Sequence, residues 1–403
     1  MLGRITLLIA EDCVRLFVAI VCLVSTVCFA EELVPEGTGG NAVSPVTVQP
    51  TQSRIEQLKL PPGFKVSVFA LNLGQPRMMA AGEGGVIYVT RRDPGDVVGM
   101  WDLDADGTAE RVEPVVQNLP GAHGIAVRQG RMYIATVREL YVGAIRKDGM
   151  VGELKKLISD LPEGGRHPNR TLGFDPKGNL LLTVGSTCNC CMEADPETAT
   201  ILQVDVKTGK REVWASGLRN TLGFAWHPKT DVCWGMDHGS DWLGDEFPPE
   251  ELNQLDEGKH YGWPLLHAKN EYSDRIKLPD GESIDAWKKK CTPMALGYPA
   301  HSAPLQMVFY TGRNFPTEYR NDAFVAMHGS WNAKPPRGYE VVRIKFNKTG
   351  QPTAIEPFVT GWMLNSNEQF GRPCGLVVGV DGSLIVGDDT NGVIYRISYS
   401  GEK

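Results

Sequence analysis

The sequence predicts an all-β fold, and three observations predict it: a repeated hexapeptide, a spaced series of short apolar strands, and a wealth of turn residues. Asn169-Arg170-Thr171-Leu172-Gly173-Phe174 returns, barely altered, as Arg219-Asn220-Thr221-Leu222-Gly223-Phe224. Each copy passes through a short polar turn, Asp175-Pro176-Lys177-Gly178 or His227-Pro228-Lys229-Thr230, into an apolar strand. Self-similarity of this kind marks a repeat architecture. With 45 Gly and 27 Pro in 403 residues, the chain has the turn chemistry that many short strands require.

The elements follow in order. Leu16 to Phe29 is an apolar run preceded by Arg4 and Arg15 and followed by Ala30-Glu31-Glu32. It is shorter than the roughly 20 residues a spanning helix needs, so residues 1–30 read as a secretory signal peptide. The mature chain is then expected to be periplasmic or secreted, with no stable membrane span. Residues 31–56 lack periodicity and read as a flexible linker.

From residue 57 to 403 the hairpin pattern repeats. Its second strand appears at Val86, Met132, Leu180, Val232, Ala323 and Leu384, at a period of roughly 50 residues apart from one long step. The long step contains an irregular stretch, about 265–303, read as an insertion. Outer strands follow at Glu139–Val142, Ile201–Val204, Glu340–Ile344 and Val393–Ile397. Six units of about four antiparallel strands predict a six-bladed β-propeller. Phe64–Phe69 has no partner of its own and is expected to join the C-terminal strands and close the ring.

This topology sorts residues by face. Strand starts supply Arg77, His123, His167, Arg170, Arg219, Asn220 and Arg372; strand ends supply Arg91, Arg92, Arg138, Asp237, His238, His328, Asp388 and Asp389. A cationic mouth on a chain of net charge −7 suits a small anionic ligand, and the acidic balance argues against a nucleic-acid partner.

Three stretches carry a family resemblance: Ser216-Gly217-Leu218-Arg219-Asn220; Asp237-His238-Gly239-Ser240-Asp241 leading to Tyr261-Gly262-Trp263-Pro264; and His328-Gly329-Ser330-Trp331-Asn332. Together they resemble the glucose/sorbosone dehydrogenase family, in its L-sorbosone dehydrogenase-like branch. The resemblance implies an oxidoreductase that uses pyrroloquinoline quinone (PQQ) and Ca²⁺ to oxidise a sugar or aldehyde, passing electrons to a separate cytochrome or quinone carrier. It places the general base at His167 and the cofactor contacts at Arg219, Asn220, Arg372 and Lys334. It places the calcium loop at Gly239 and Ser240, with Asp241, Asp245, Glu246 and Tyr261 as further oxygen donors. Hard oxygen ligands suit Ca²⁺, and arginines suit a flat tricarboxylate. Arg166 stands where the family's glucose enzymes have an acid, so glucose is not assumed. A non-catalytic carbohydrate- or protein-binding propeller and a Ca²⁺-dependent lactonase-type hydrolase are the competing readings.

Two motifs call for restraint. Asp102 to Glu113 satisfies the EF-hand pattern, but its flanks read as strands, so an Asp-Gly hairpin turn is expected. Cys188-Asn189-Cys190-Cys191-Met192 lacks the His of a haem-attachment site. Six cysteines follow the signal segment, and in an exported chain they point to disulfides whose pairing the sequence leaves open.

Overall fold

The computed structural model describes residues 39–401 except residue 275. The signal-peptide prediction lies outside these residues. Six antiparallel sheets of four or more strands follow one another along the chain. The first comprises Pro76–Ala81, Ile87–Arg91, Asp96–Trp101 and Arg111–Val116. The second comprises Gly124–Arg128, Arg131–Ala135, Leu140–Ala144 and Lys155–Ile158. The third runs Leu172–Phe174, Leu180–Val184, Thr200–Val204 and Arg211–Ser216, with Lys259–His260 added in parallel at its edge. The fourth is Thr221–Trp226, Cys233–Asp237, Glu250–Leu255 and Leu296–Tyr298; the fifth is Pro304–Phe309, Ala323–Met327, Glu340–Phe346 and Pro352–Val359. The sixth joins Pro373–Val378, Leu384–Asp388 and Val393–Tyr399 to Phe64–Ala70 from the other end of the chain. Each sheet packs beside the next and the sixth beside the first, which gives a propeller-like cycle.

Packing between neighbours explains the apolar runs. The second strands Leu180–Val184, Ala323–Met327 and Leu384–Asp388 are buried at every position, because sheets cover both of their faces. The outer strands Lys155–Ile158 and Arg211–Ser216 keep exposed positions. The glycine of the repeated hexapeptide has a steric cause. A Cβ on Gly223 would lie 2.0 Å from the Leu305 carbonyl oxygen, and one on Gly375 would lie 2.3 Å from that of Arg77. Glycine lets inner strands of adjacent sheets approach this closely. Leu222, Leu305 and Cys374, from the inner strands of three sheets, form an apolar plug.

Two expectations change. The segment read as a flexible linker is ordered from residue 39. Val46–Thr47 pairs in parallel with Glu368–Gln369, and Gln52–Glu56 is a helix capped by the Thr51 hydroxyl. The insertion contains a short hairpin, Leu266–His267 with Glu271–Tyr272, and a helix, Ile284–Lys290. It also ends in the fourth sheet's own outer strand, so it interrupts a sheet rather than separating two. Asp102–Glu110 is a loop between strands, with no flanking helix. Among the described residues no helix is long and apolar enough to cross a membrane.

Candidate active site

Loops at one end of the inner strands surround a cavity of about 330 Å³. It is lined by Arg77, Arg166, Arg219 and Arg372, by His167, His238, His301 and His328, and by Asn169, Asn220, Asp241 and Glu250. Leu222 and Leu305 from the apolar plug complete the lining, and Trp331 contributes an aromatic face. An adjoining cavity of about 430 Å³ shares Arg77, Asn169, His328 and Arg372.

His167 is set by a turn. Gly165 has φ +49°, and a Cβ there would meet the Thr187 backbone at 2.4 Å. The Arg166 N–H donates to Thr187 O at 3.0 Å, which brings the turn against the end of Leu180–Val184. His167 Nδ1 lies 2.9 Å from Ser186 O and 2.8 Å from Ser186 Oγ. A carbonyl only accepts, so Nδ1 carries the proton and Nε2 keeps its lone pair. Among the described residues Nε2 has no hydrogen-bond partner. Burial, and then the nearby Arg219 charge, hold the imidazole pKa well below 6.5. The ring is therefore neutral and basic at Nε2 near pH 7.

The second hexapeptide is anchored by the strand end opposite it. The Asp237 carboxylate accepts from Arg219 N–H and Asn220 N–H, both at 2.8 Å, and from the Thr221 hydroxyl at 2.8 Å. Burial pushes this acid up to about 6. Asp388 repeats the device in the sixth sheet, accepting from Arg372 N–H at 2.9 Å. The Arg219 guanidinium is almost fully buried and pairs with Asp241 at 2.9 Å. The other Asp241 oxygen accepts from Asn332 Nδ2 at 2.7 Å. Arg372 donates to the carbonyls of His328 at 3.1 Å and Gly329 at 2.6 Å, so no carboxylate takes up those two contacts. Arg77 and His328 share Asp389. His238 donates through Nε2 to Pro304 O at 2.5 Å, and burial lowers its pKa to about 4. Glu250 accepts from Gly239 N–H and Ala303 N–H, and burial raises it to about 8. With Glu250 protonated, the lining holds four guanidinium groups and one carboxylate, Asp241, and Asp389 beside it pairs with Arg77. The lining carries a net positive charge although the chain is acidic.

The TrAA12-like family model matches residues 58–400. The chain belongs to that family. It is 32% identical to an uncharacterised protein of Borreliella burgdorferi, over 85% of this chain and 91% of that one. It is 26% identical to the pyrroloquinoline quinone-dependent pyranose dehydrogenase of Coprinopsis cinerea, over 85% of this chain and 54% of that protein. The chain thus spans about half the length of the Coprinopsis enzyme. It shares its fold with the calcium structure of the Trichoderma reesei family AA12 enzyme, at TM-score 0.75 and 20% identity, covering 88% of this chain and 100% of that one.

In this TrAA12-like chain the cavity collects His167, Arg219, Asn220, Arg372, Gly239 and Asp241 from the sequence-predicted set. Ser240 is buried behind them and its hydroxyl accepts from Trp263 Nε1 at 3.2 Å. Four predicted residues are placed elsewhere. Lys334 is exposed and outside the lining. Asp245 accepts both the backbone and side-chain N–H of Asn41, and Glu246 forms a two-point pair with Arg337 at the surface. The Tyr261 hydroxyl donates to Gln254 O at 2.6 Å beneath the third and fourth sheets. The acidic loop is thus divided among separate partners. Arg170 and His123, expected at the mouth, are sealed inside: Arg170 donates to the carbonyls of Val137, His167 and Pro162, and His123 Nδ1 donates to Arg170 O. Glu250 and His301 are lining residues that sequence reasoning did not single out, and Asn169 and Trp331 stood in the quoted motifs without a site role. Two adjacent acids at the start of the strand Glu250–Leu255, where most second and third strands of the repeat are apolar, were the available signal for Glu250.

Proposed function

We propose that this chain is an exported PQQ-dependent dehydrogenase that oxidises a sugar, with six sheets forming the six blades of a propeller and His167 as general base. The observation that carries the reading is the neutral His167, with Nδ1–H committed to Ser186 O and Nε2 open, beside a cavity lined by four arginines. Names of relatives support the cofactor and the substrate class.

The lining fits a flat polyanion. The volume falls within the roughly 300–1,000 Å³ of small-molecule sites. Asn169 Oδ1 is buried with no hydrogen-bond partner among the described residues, an acceptor open to a ligand N–H or O–H rather than to a carboxylate. PQQ, when bound, supplies a quinone that takes up the two electrons of the alcohol oxidation. Arg77, Arg219 and Arg372 would hold its carboxylates, with Asn220 beside them. A Ca²⁺ ion would find the Gly239–Ser240 backbone and Asp241, and would draw the rest of its six to eight oxygens from cofactor and water. His167 Nε2 takes the hydroxyl proton of the substrate, and the buried position of the ring keeps that lone pair available well below pH 7. Trp331, at the cavity and 42% exposed, offers an apolar face to a sugar ring. Electrons then leave to a separate acceptor.

The test is to incubate the mature protein with PQQ and Ca²⁺, record its absorption spectrum, and measure aldose-dependent dye reduction. Binding at micromolar PQQ with sugar-dependent turnover is expected. No binding removes the reading, and lactone hydrolysis without PQQ would assign the site to a hydrolase.

A further inference from the structure

The loop joining Leu180–Val184 to Thr200–Val204 contains a four-residue ring closed by a disulfide between Cys188 and Cys191. The sequence points here to a disulfide, or to a vicinal or redox-active cysteine pair near the cofactor, with the pairing left open. Its position gives it a different role. Asn189, inside the ring, makes four hydrogen bonds, all to residues of the candidate site. Its carbonyl accepts from Arg219 Nε at 2.9 Å, and its Oδ1 accepts from Arg219 Nη2 at 2.9 Å. The same Oδ1 accepts from Asp241 N–H at 2.8 Å, and Nδ2 donates to Asp241 O at 3.1 Å. The ring also reaches His167. The Ser186 hydroxyl, 2.8 Å from His167 Nδ1, donates to Cys188 O at 2.8 Å. Glu193 braces the loop from behind by accepting from Thr187 N–H, Thr187 Oγ1 and Thr198 Oγ1. On the far side, Cys190 Sγ lies 3.7 Å from Pro264 O.

Resting on the functional reading above, we propose that the Cys188–Cys191 ring is a positioning clasp for the catalytic site and that Asn189 is its working residue. Asn189 does not line the cavity; it acts through Arg219 and Asp241. An arginine side chain has many rotamers, and a buried guanidinium useful to an anionic ligand must be held in one of them. Two of the Arg219 donors are spent on Asn189, which fixes the plane of the group. A disulfide across four residues leaves Asn189 little backbone freedom, so the covalent ring transmits its rigidity to Arg219, to the Gly239–Asp241 loop and, through Ser186, to His167. Reduction by a dithiol converts the bond to two thiols with two electrons and two protons from the reductant, which leaves as its cyclic disulfide. The reduced loop keeps its sequence and loses the closure.

The experiment compares oxidised protein, protein reduced with dithiothreitol, and the variants Asn189→Ala and Cys188→Ser/Cys191→Ser. Hydrogen–deuterium exchange is read without cofactor, and PQQ affinity and turnover are read with PQQ and Ca²⁺. Reduction and both variants should speed exchange in segment 237–242, where the Asp241 amide is bonded to Asn189, and leave the buried strand Arg131–Ala135 unchanged. PQQ affinity should fall about 10- to 100-fold, the usual effect of losing a residue that orients a contact residue. Unchanged exchange in 237–242 in Asn189→Ala and in reduced protein overturns the clasp. If oxidised wild-type protein binds no PQQ, the dehydrogenase reading falls, and the exchange measurement alone decides whether the ring positions the site.

Discussion

Replacing His167 with Gln tests the chemistry most directly. A glutamine side-chain N–H can still donate to Ser186 O, where His167 Nδ1 lies at 2.9 Å, so the turn and the cavity wall should persist. What disappears is the only proton acceptor on that side chain, the Nε2 lone pair, since an amide is not basic near neutral pH. General-base assistance contributes about 10²–10⁴-fold, or about 3–5 kcal/mol of barrier. Steady-state dye reduction by the PQQ- and Ca²⁺-loaded variant should fall by that factor, while PQQ titration gives an unchanged affinity. The pH profile adds a second reading. His167 titrates well below 6.5 because burial and Arg219 disfavour its charged form, so the wild-type rate should hold from pH 7 down through pH 6.5 and fall only at lower pH. A variant that keeps turnover within about tenfold, about 1.4 kcal/mol, would refute the assignment. So would a wild-type profile that has already lost half its rate at pH 6.5.

Asp237→Ala should lower stability by about 3 kcal/mol or more, because three buried donors lose their acceptor, and thermal unfolding should show a drop of several degrees. Stability should peak near about pH 6.5. Glu250 and Glu251, raised by burial to about 8, hold protons in the folded state that the unfolded chain releases above its ordinary carboxyl range, so their contribution is lost as pH rises toward 8. Neutral His267, which is buried, and half-buried His238, His260 and His328, all lowered to about 4, oppose this on the acid side, because the unfolded chain takes up protons below 6.5. Melting curves from pH 5 to 9 check both limbs, and Glu250→Gln with Glu251→Gln should flatten the alkaline one. Trp331→Ala should raise KM for the sugar about fivefold, about 1 kcal/mol, with PQQ affinity unchanged, as read by paired substrate and cofactor titrations.

Much of the fold was legible because it repeats. The glycine of the second hexapeptide, Gly223, reports a backbone contact between sheets, and Gly124 and Gly375 report the same on two other inner strands, whereas Gly173 lies against the Phe224 ring. Ring closure by Phe64–Ala70 was legible for the opposite reason, since that strand had no local partner. The ordered segment after residue 39 was not legible. Its contacts, Asn41 to Asp245 and Val43 N–H to Trp331 O, are made with residues 204 and 288 positions away and leave no periodic trace. Motif reading named cavity-lining residues held by local backbone contacts, such as His167 in its turn and Arg219 at its strand start. It misplaced Asp245 and Glu246 because an acidic loop looks the same whether its carboxylates converge or pair outward. It placed Arg170 at the mouth because strand position does not reveal which way a long side chain turns. Here three carbonyls turn it inward.

The sixth sheet has a consequence for biogenesis. Phe64–Ala70 pairs with Val393–Tyr399, so a strand synthesised before the other five sheets waits for one synthesised after them. Until then the exposed edge of Val66 and Val68 is open to strand exchange with a neighbouring molecule. The other five sheets can assemble as the chain appears, but the circle cannot. A circular permutant that makes Phe64–Ala70 follow directly after Val393–Tyr399 should turn this long-range closure into a local hairpin, and should refold faster and aggregate less without altering the finished molecule.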